Sequence, residues 1–255
     1  MRKSKTCELK ARARVLLEGQ YRLLVLITFI LMMAQYVLDA VINFAFPTSS
    51  ATSSILYFAC SLLSNILYVL LLAGAYKIYL NRMRGLPIEQ PELFFAFSNQ
   101  PEQVAIYALV RFVISFGFTE TLDWFINEVF SGNPSFPILI DVLILLIITV
   151  IVIWLHLSFS MTLYLYCDSP WKKAPDLLRE SNQLMNGNRG KLLYLNLSFV
   201  GISILGALSF GIGLLFIEPY LNMTLALFYE ELTAAGDGRE QTYESDFSGS
   251  TDNLY

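Results

Sequence analysis

The sequence predicts an all-α protein, a polytopic helical membrane protein of about six transmembrane helices, and three observations carry that reading. Of 255 residues, 55% are apolar and only 15% charged, where a soluble domain carries roughly 25% charged residues. The apolar residues gather into runs of about 20, the length a helix needs to cross a hydrocarbon core about 30 Å thick. Lys and Arg crowd one connection between runs and are absent from the next. Disorder is excluded for most of the chain by its hydrophobicity. Three cysteines are too few for a disulfide scaffold. The net charge of −4 carries no sign of nucleic acid, and no such partner is expected.

Residues 1–21 form a basic cytoplasmic segment in which 6–18 reads as an amphipathic helix. Leu9, Ala13, Leu16 and Leu17 share one face, with Lys10, Arg12 and Arg14 off it. Gly19 ends it. A cleaved signal peptide is the competing reading, but the following apolar run is too long and no small-residue cleavage site follows. The first span is 23–46, with one charge, Asp39. The second, 55–76, has none, and the third, 104–124, contains Arg111. The fourth, 137–160, contains Asp141 and His156, and its apolar stretch continues to Cys167.

A second amphipathic helix is expected over 170–186. Asp168 or Ser169 would cap it and Pro170 suits its first turn. Leu177, Leu178, Ser181, Leu184 and Met185 form its apolar face, and Gly187 ends it. The stretch 192–232 accommodates two short spans, 192–210 and 213–232, turning at Gly211 and Gly213. The alternative is five spans, with a break at Glu218-Pro219 and a last helix lying in the interface. The transmembrane domain is thus 22–232, followed by an acidic tail, 233–255, whose composition predicts disorder.

Basic residues set the orientation. They fill the N-terminal segment, the connection after span two (Lys77, Arg82, Arg84) and the connection after span four (Lys172, Lys173, Arg179, Arg189, Lys191). The connections 47–54 and 119–136 have none. The N-terminus is therefore expected in the cytoplasm, in a multi-pass protein of the cell membrane. Anionic head groups at the inner face are the expected partners of the basic fringe, with a membrane-protein partner or a second copy of the chain as further possibilities. Residues 16–24 and 184–193 also echo each other as surface helix, glycine turn, basic residue and span, the pattern of an internal duplication or of any return from interface to membrane.

Charges at membrane depth are costly and point to function by default. The candidates for an intramembrane polar site are Arg111, Asp141, Glu218 and Asp39. Arg111 lies about 10 Å along the helix from Val104 and is expected to pair with Asp141 or Glu218. Such a site would take a cation, a proton or a head group; the plainer reading is a structural ion pair or snorkelling. His156 is expected at the interface. Ser203, Ala207 and Gly211 recur every four positions, a spacing that allows close helix packing. Phe94, Phe95, Phe97, Trp124, Phe125 and Phe130 suit aromatic belts. No zinc-binding set, phosphate-cradling loop or nucleophile motif is present, so no enzyme activity, cofactor or metal is expected.

Several stretches are familiar as a set. Glu8-Leu9-Lys10-Ala11-Arg12-Ala13 with Leu17-Glu18-Gly19-Gln20-Tyr21 resembles the start of a bacterial membrane family known as domain of unknown function 975. Glu92-Leu93-Phe94-Phe95-Ala96-Phe97 is similar to its loop motif. The run from Leu178 to Asn188 resembles its surface helix. Leu197-Ser198-Phe199, Glu218-Pro219-Tyr220 and the run from Ala226 to Leu232 resemble its C-terminal hallmark. The resemblance covers 8–232 and implies a bacterial cytoplasmic membrane, but no activity. The family often breaks span four with Pro-Gly; 144–157 lacks both, so no kink is expected there. The expected function is a non-catalytic accessory or interaction module. The alternative is a transporter or permease built around Arg111.

Overall fold

The structure is a computed structural model describing residues 6–46, 51–87, 90–130, 138–209 and 211–237. Among these residues every regular element is helical. In order they are α1 (Thr6–Leu17), α2 (Tyr21–Ala45), α3 (Ala51–Met83), a 3-10 turn (Gln90–Phe94), α4 (Phe95–Ser98), α5 (Pro101–Phe130), α6 (Ile138–Phe159), α7 (Thr162–Asp168), α8 (Ala174–Leu184), α9 (Arg189–Leu208) and α10 (Ile212–Asp237). Six stretches are long and apolar enough to cross a membrane: Tyr21–Ala45, Ser54–Met83, Pro101–Glu128, Leu139–Asp168, Arg189–Leu208 and Ile212–Ala234. The six-span reading is therefore the observed one. Pro219 is buried inside α10 rather than ending it. That helix runs to Asp237, so the tail begins later than position 233, and residues 238–255 lie outside the described ones.

Burial divides the bundle along its length. In α3 the run from Val69 to Asn81 is largely buried, while most of 54–68 is not. In the α6–α7 stretch, Leu157, Ser158 and every residue from Met161 to Cys167 are buried, whereas 139–156 is exposed or half-exposed except Asp141. Among the α5 residues whose burial is described, only Val104 and Ala108, near the start, are buried. These buried stretches pack together with α1, α4, α7, α8 and the later half of α10 into one core at the end of the bundle that carries the basic connections. Beyond it the helices present leucine, isoleucine, valine and phenylalanine outward, the surface a hydrocarbon solvent requires. With 33 residues, α3 is about 50 Å long. It exceeds the hydrocarbon thickness and carries about its last four turns, from Val69 on, into the packed end.

Three tyrosines from three helices stack at the centre of that core. Tyr76 and Tyr164 lie 4.5 Å apart and nearly parallel, and Tyr164 and Tyr229 are 5.4 Å apart. The connection 90–98, read from sequence as a loop of aromatic anchors, is instead short helix laid on α3. Its backbone meets Gly74 so closely that a Cβ there would overlap the Leu93 carbonyl. Only glycine allows that approach.

The first surface helix matches its expected face: Leu9, Ala13 and Leu17 are buried. It docks along α10 and α9. Lys10 donates to the Ser198 carbonyl and hydroxyl and lies 4.0 Å from the centre of the Phe199 ring. Burial, with Arg14 nearby, lowers the Lys10 pKa. Tyr220 donates to the Lys10 carbonyl, and Tyr21 to that of Phe216. Because Ala13 has no exposed surface, Ala13→Leu is expected to lift α1 at a cost of about 1–3 kcal/mol. Hydrogen exchange checks this: α1 amides should lose protection, and unaltered protection would contradict the docking.

The second surface helix begins later than expected. It starts at Ala174, with Lys173 at the N-cap, no side-chain cap and Pro175 in the first turn. The reason is that α7 continues to Asp168, and the chain turns over 169–173 before α8 can start. Its face does bury Leu177, Ser181 and Met185. The long span-four stretch breaks at Ser160-Met161, outside 144–157 and without proline or glycine. The two glycine turns adopt the same local fold. Gly19 and Gly187 have φ of 86° and 76°, and the bonds Glu18 N–H to Val15 O and Gln20 N–H to Leu17 O repeat as Asn186 to Gln183 and Asn188 to Met185.

The small-residue stripe in α9 is shifted from its expected place. A Cβ on Gly206 would come 2.7 Å from Ile217 Cδ1, and one on Gly213 would come 2.6 Å from Gly206 Cα. Gly206 and Gly213 therefore make the close approach between α9 and α10. Ala207 is exposed, and Gly211 (φ 81°) forms the turn.

Candidate functional site

A small concavity holding charged groups lies between α5 and α6. Tyr107, Val110, Arg111 and Ile114 line one wall, at the i, i+3, i+4, i+7 spacing of a single helix face. Leu155, His156 and Phe159 line the other. The cleft has a volume of about 20 Å³, room for one water-sized group. The Arg111 guanidinium lies 5.8 Å from the centre of the Tyr68 ring on α3, a cation–π contact that offsets part of the cost of holding the charge there.

Arg111, His156 and Tyr68 share one level of the bundle. Tyr68 immediately precedes the buried run of α3, His156 immediately precedes that of α6, and Arg111 is one turn past Ala108, the last buried residue of α5. That level is where the packed end gives way to lipid-facing surface. His156 was expected at the interface; it lies at this level and lines the cleft opposite Arg111.

The expected carboxylate partners are elsewhere. Asp141 is fully buried near the start of α6, and neither of its oxygens has a hydrogen-bond partner among the described residues. Asp39 is exposed and accepts from the Gln35 amide at 2.9 and 3.0 Å, while its carbonyl accepts from Asn43. Glu218 is half-buried on α10, within electrostatic reach of Tyr68, as Arg111 is. No ion pair joins Arg111 to any of the three among the described residues. For Asp141 the reason is placement along the axis: it starts α6 whereas His156 ends it, so 15 positions, about 22 Å, separate it from the cleft level.

A second charged group, missed in the sequence, ties helix ends together at the basic end. Arg84 donates to both oxygens of Asp168 at 2.7 and 2.9 Å and to Glu230 at 3.0 Å, and Tyr229 donates to Asp168 at 2.9 Å. Hydrogen bonding to Asp168 raises the Arg84 pKa further above its ordinary value. Other members of the basic fringe also turn inward. Arg82 bonds the carbonyls of Leu16 and Glu18, Lys77 that of Cys167, and Lys191 pairs with Glu231 at 2.7 Å. Their sequence signal was basic residues beside helix ends, which reads equally well as a head-group fringe.

Six membrane-length helices gathered over one packed basic end define a polytopic all-α membrane protein. The chain belongs to the family described as protein of unknown function (DUF975), which matches residues 1–236. No curated protein and no solved structure matches it.

Proposed function

We propose that this chain is a non-catalytic accessory or interaction module of a bacterial cytoplasmic membrane, with its N-terminus in the cytoplasm. The observation that carries the reading is where the core sits. The extensive packing lies at the basic end, where α1, α4, α7, α8 and 90–94 brace the helix ends, and the positive-inside rule directs that end to the cytoplasm. A rigid, membrane-anchored platform facing the cytoplasm suits docking to another protein. Trp171 and Phe94, 69% and 56% exposed, stand at its edge, where aromatic side chains anchor at head-group level. The permease alternative needs a path for solute past Arg111. The 20 Å³ cleft, with no carboxylate in its lining, offers nothing that favours it.

The test is photo-crosslinking in native membranes from probes placed at Phe94 and Trp171, with a third at Trp124 near the far end of α5. Orientation is read in parallel from impermeant thiol labels at positions 82, 173 and 124, in a background freed of Cys7, Cys60 and Cys167. The expected result is one reproducible protein partner from the first two probes and external labelling at 124 alone. External labelling at 82 or 173 in sealed cells refutes the orientation. Crosslinks to lipid only, together with solute flux in proteoliposomes that Arg111→Leu abolishes, transfers the reading to transport.

A further inference from the structure

We propose that the α5–α6 cleft binds the phosphodiester of an anionic phospholipid, with Arg111 and His156 as its ligands. This rests on the membrane setting and on neither the accessory role nor the orientation. The argument begins with charge. The Arg111 side chain is a guanidinium cation, and a cation held at the edge of hydrocarbon needs a counter-charge or water. Among the described residues its contact is the face of Tyr68 and no ion pair reaches it, and none of the seven cleft residues is acidic.

Depth points to which anion. Arg111, His156 and Tyr68 mark the level at which three helices pass from the packed end to lipid-facing surface. Phosphates of one leaflet gather at that boundary. The shape fits a tethered anion: the cleft accommodates a single oxygen of a phosphate, leaving the glycerol and head group outside. The acyl chains then have a surface to follow, because Val113 on α5 and Val150, Ile151 and Trp154 on α6 are exposed.

The chemistry also discriminates among lipids. A guanidinium offers a fork of donors suited to a phosphate. The imidazole of His156 and the phenol of Tyr107 supply further N–H and O–H donors. No cleft carboxylate is present to receive an ammonium group. A phosphatidylglycerol-type head group is therefore preferred over phosphatidylethanolamine, whose own ammonium competes for the phosphate.

The test is native mass spectrometry of the full chain in detergent, titrated separately with phosphatidylglycerol, phosphatidylethanolamine and inorganic phosphate. The expected result is one tightly held phosphatidylglycerol, weaker phosphatidylethanolamine, and no displacement by phosphate. Arg111→Gln should weaken phosphatidylglycerol retention about tenfold, since hydrogen bonds to charged groups are lost. His156→Gln should weaken it by a smaller factor. Arg179→Gln, which removes an exposed charge on α8, should leave it unchanged. Equal loss in Arg111→Gln and Arg179→Gln overturns the site in favour of a diffuse basic fringe. Full retention in a folded Arg111→Gln also overturns it, and displacement by inorganic phosphate overturns the lipid as ligand. If Arg111→Gln does not fold, Ile114→Trp decides. It fills the cleft while leaving the guanidinium in place, so undiminished retention refutes the proposal and lost retention supports it.

Discussion

Gly74→Ala is expected to be the most damaging single-methyl substitution in this protein. The added carbon would overlap the carbonyl oxygen of Leu93 and reach 2.8 Å from that of Glu92. Both belong to backbone, so no side-chain rotation relieves the clash; either 90–94 lifts or α3 bends. Overpacking costs about 1–3 kcal/mol and occasionally more, and this site belongs at the upper end. Loss extends beyond the contact itself, because the lifted segment carries Glu92, which accepts from Asn81, and precedes Phe95, which packs on Tyr166. Gly117→Ala is the control. Gly117 is also helical, but nothing lies within 4 Å of its Cβ position, so alanine should be neutral or stabilising by up to about 1 kcal/mol. Thermal unfolding of the two variants in detergent should separate them widely. Equal melting temperatures would show that 90–94 does not lie on α3.

Arg84→Leu should have the next largest effect. One guanidinium joins the ends of three helices through Asp168 on α7 and Glu230 on α10, with side chains 29%, 25% and 24% exposed. Fully exposed pairs contribute about 0–1 kcal/mol, whereas removing one partner of a buried pair costs about 3–5 kcal/mol. Three side chains about a quarter exposed fall between, at about 1–3 kcal/mol. Removing the cation also leaves two carboxylates facing each other. Adding Glu230→Gln to Arg84→Leu should therefore recover part of the loss, a non-additivity that a double-mutant cycle reads directly. Arg84→Lys should fall short of wild type because the two-oxygen fork on Asp168 is lost. The sign of any pH effect follows from the raised Arg84 pKa. A raised folded-state value stabilises fully below the unfolded value and is lost only as pH rises through the folded one. Both lie beyond the alkaline limit of ordinary work, so the arginine keeps its charge across the ordinary pH range and its own deprotonation removes none of this stability. Additive double-mutant energies would show that the three helix ends are not coupled through it.

The spans were legible because hydrocarbon imposes one local rule. A helix surrounded by lipid is apolar on all sides for about 20 residues, and that rule can be read without knowing the neighbours. The amphipathic face of α1 and the glycines at 19 and 187 were legible for similar reasons. Periodicity and left-handed backbone geometry are properties of a few adjacent residues. The start of α8 was misplaced because Pro170 and Pro175 offer competing first turns, and the choice depends on how far α7 continues. The α9–α10 close approach was expected at Ser203, Ala207 and Gly211 but is made by Gly206 and Gly213, since a stripe of small residues does not say which face meets α10. The candidate site was half legible. Arg111 stood out as a charge within an apolar run, and Tyr107, Val110, Arg111 and Ile114 share its stripe. Its opposite wall was not legible, because His156 lies 45 positions away on a helix whose register against α5 no local pattern records.

By itself the sequence determined that the chain is helical, how many helices are long enough to cross a bilayer, and which of their ends carry the cations. Those properties come from each segment's exchange with its solvent. Tertiary structure alone decided that those cations largely bind protein, that Arg111 faces a histidine and not a carboxylate, and that the tight packing is concentrated at one end. The physical reason is that partner choice depends on the relative heights and rotations of separate helices. Contacts between residues far apart in the chain fix those heights and rotations, and close backbone approach such as that at Gly74 holds them in place.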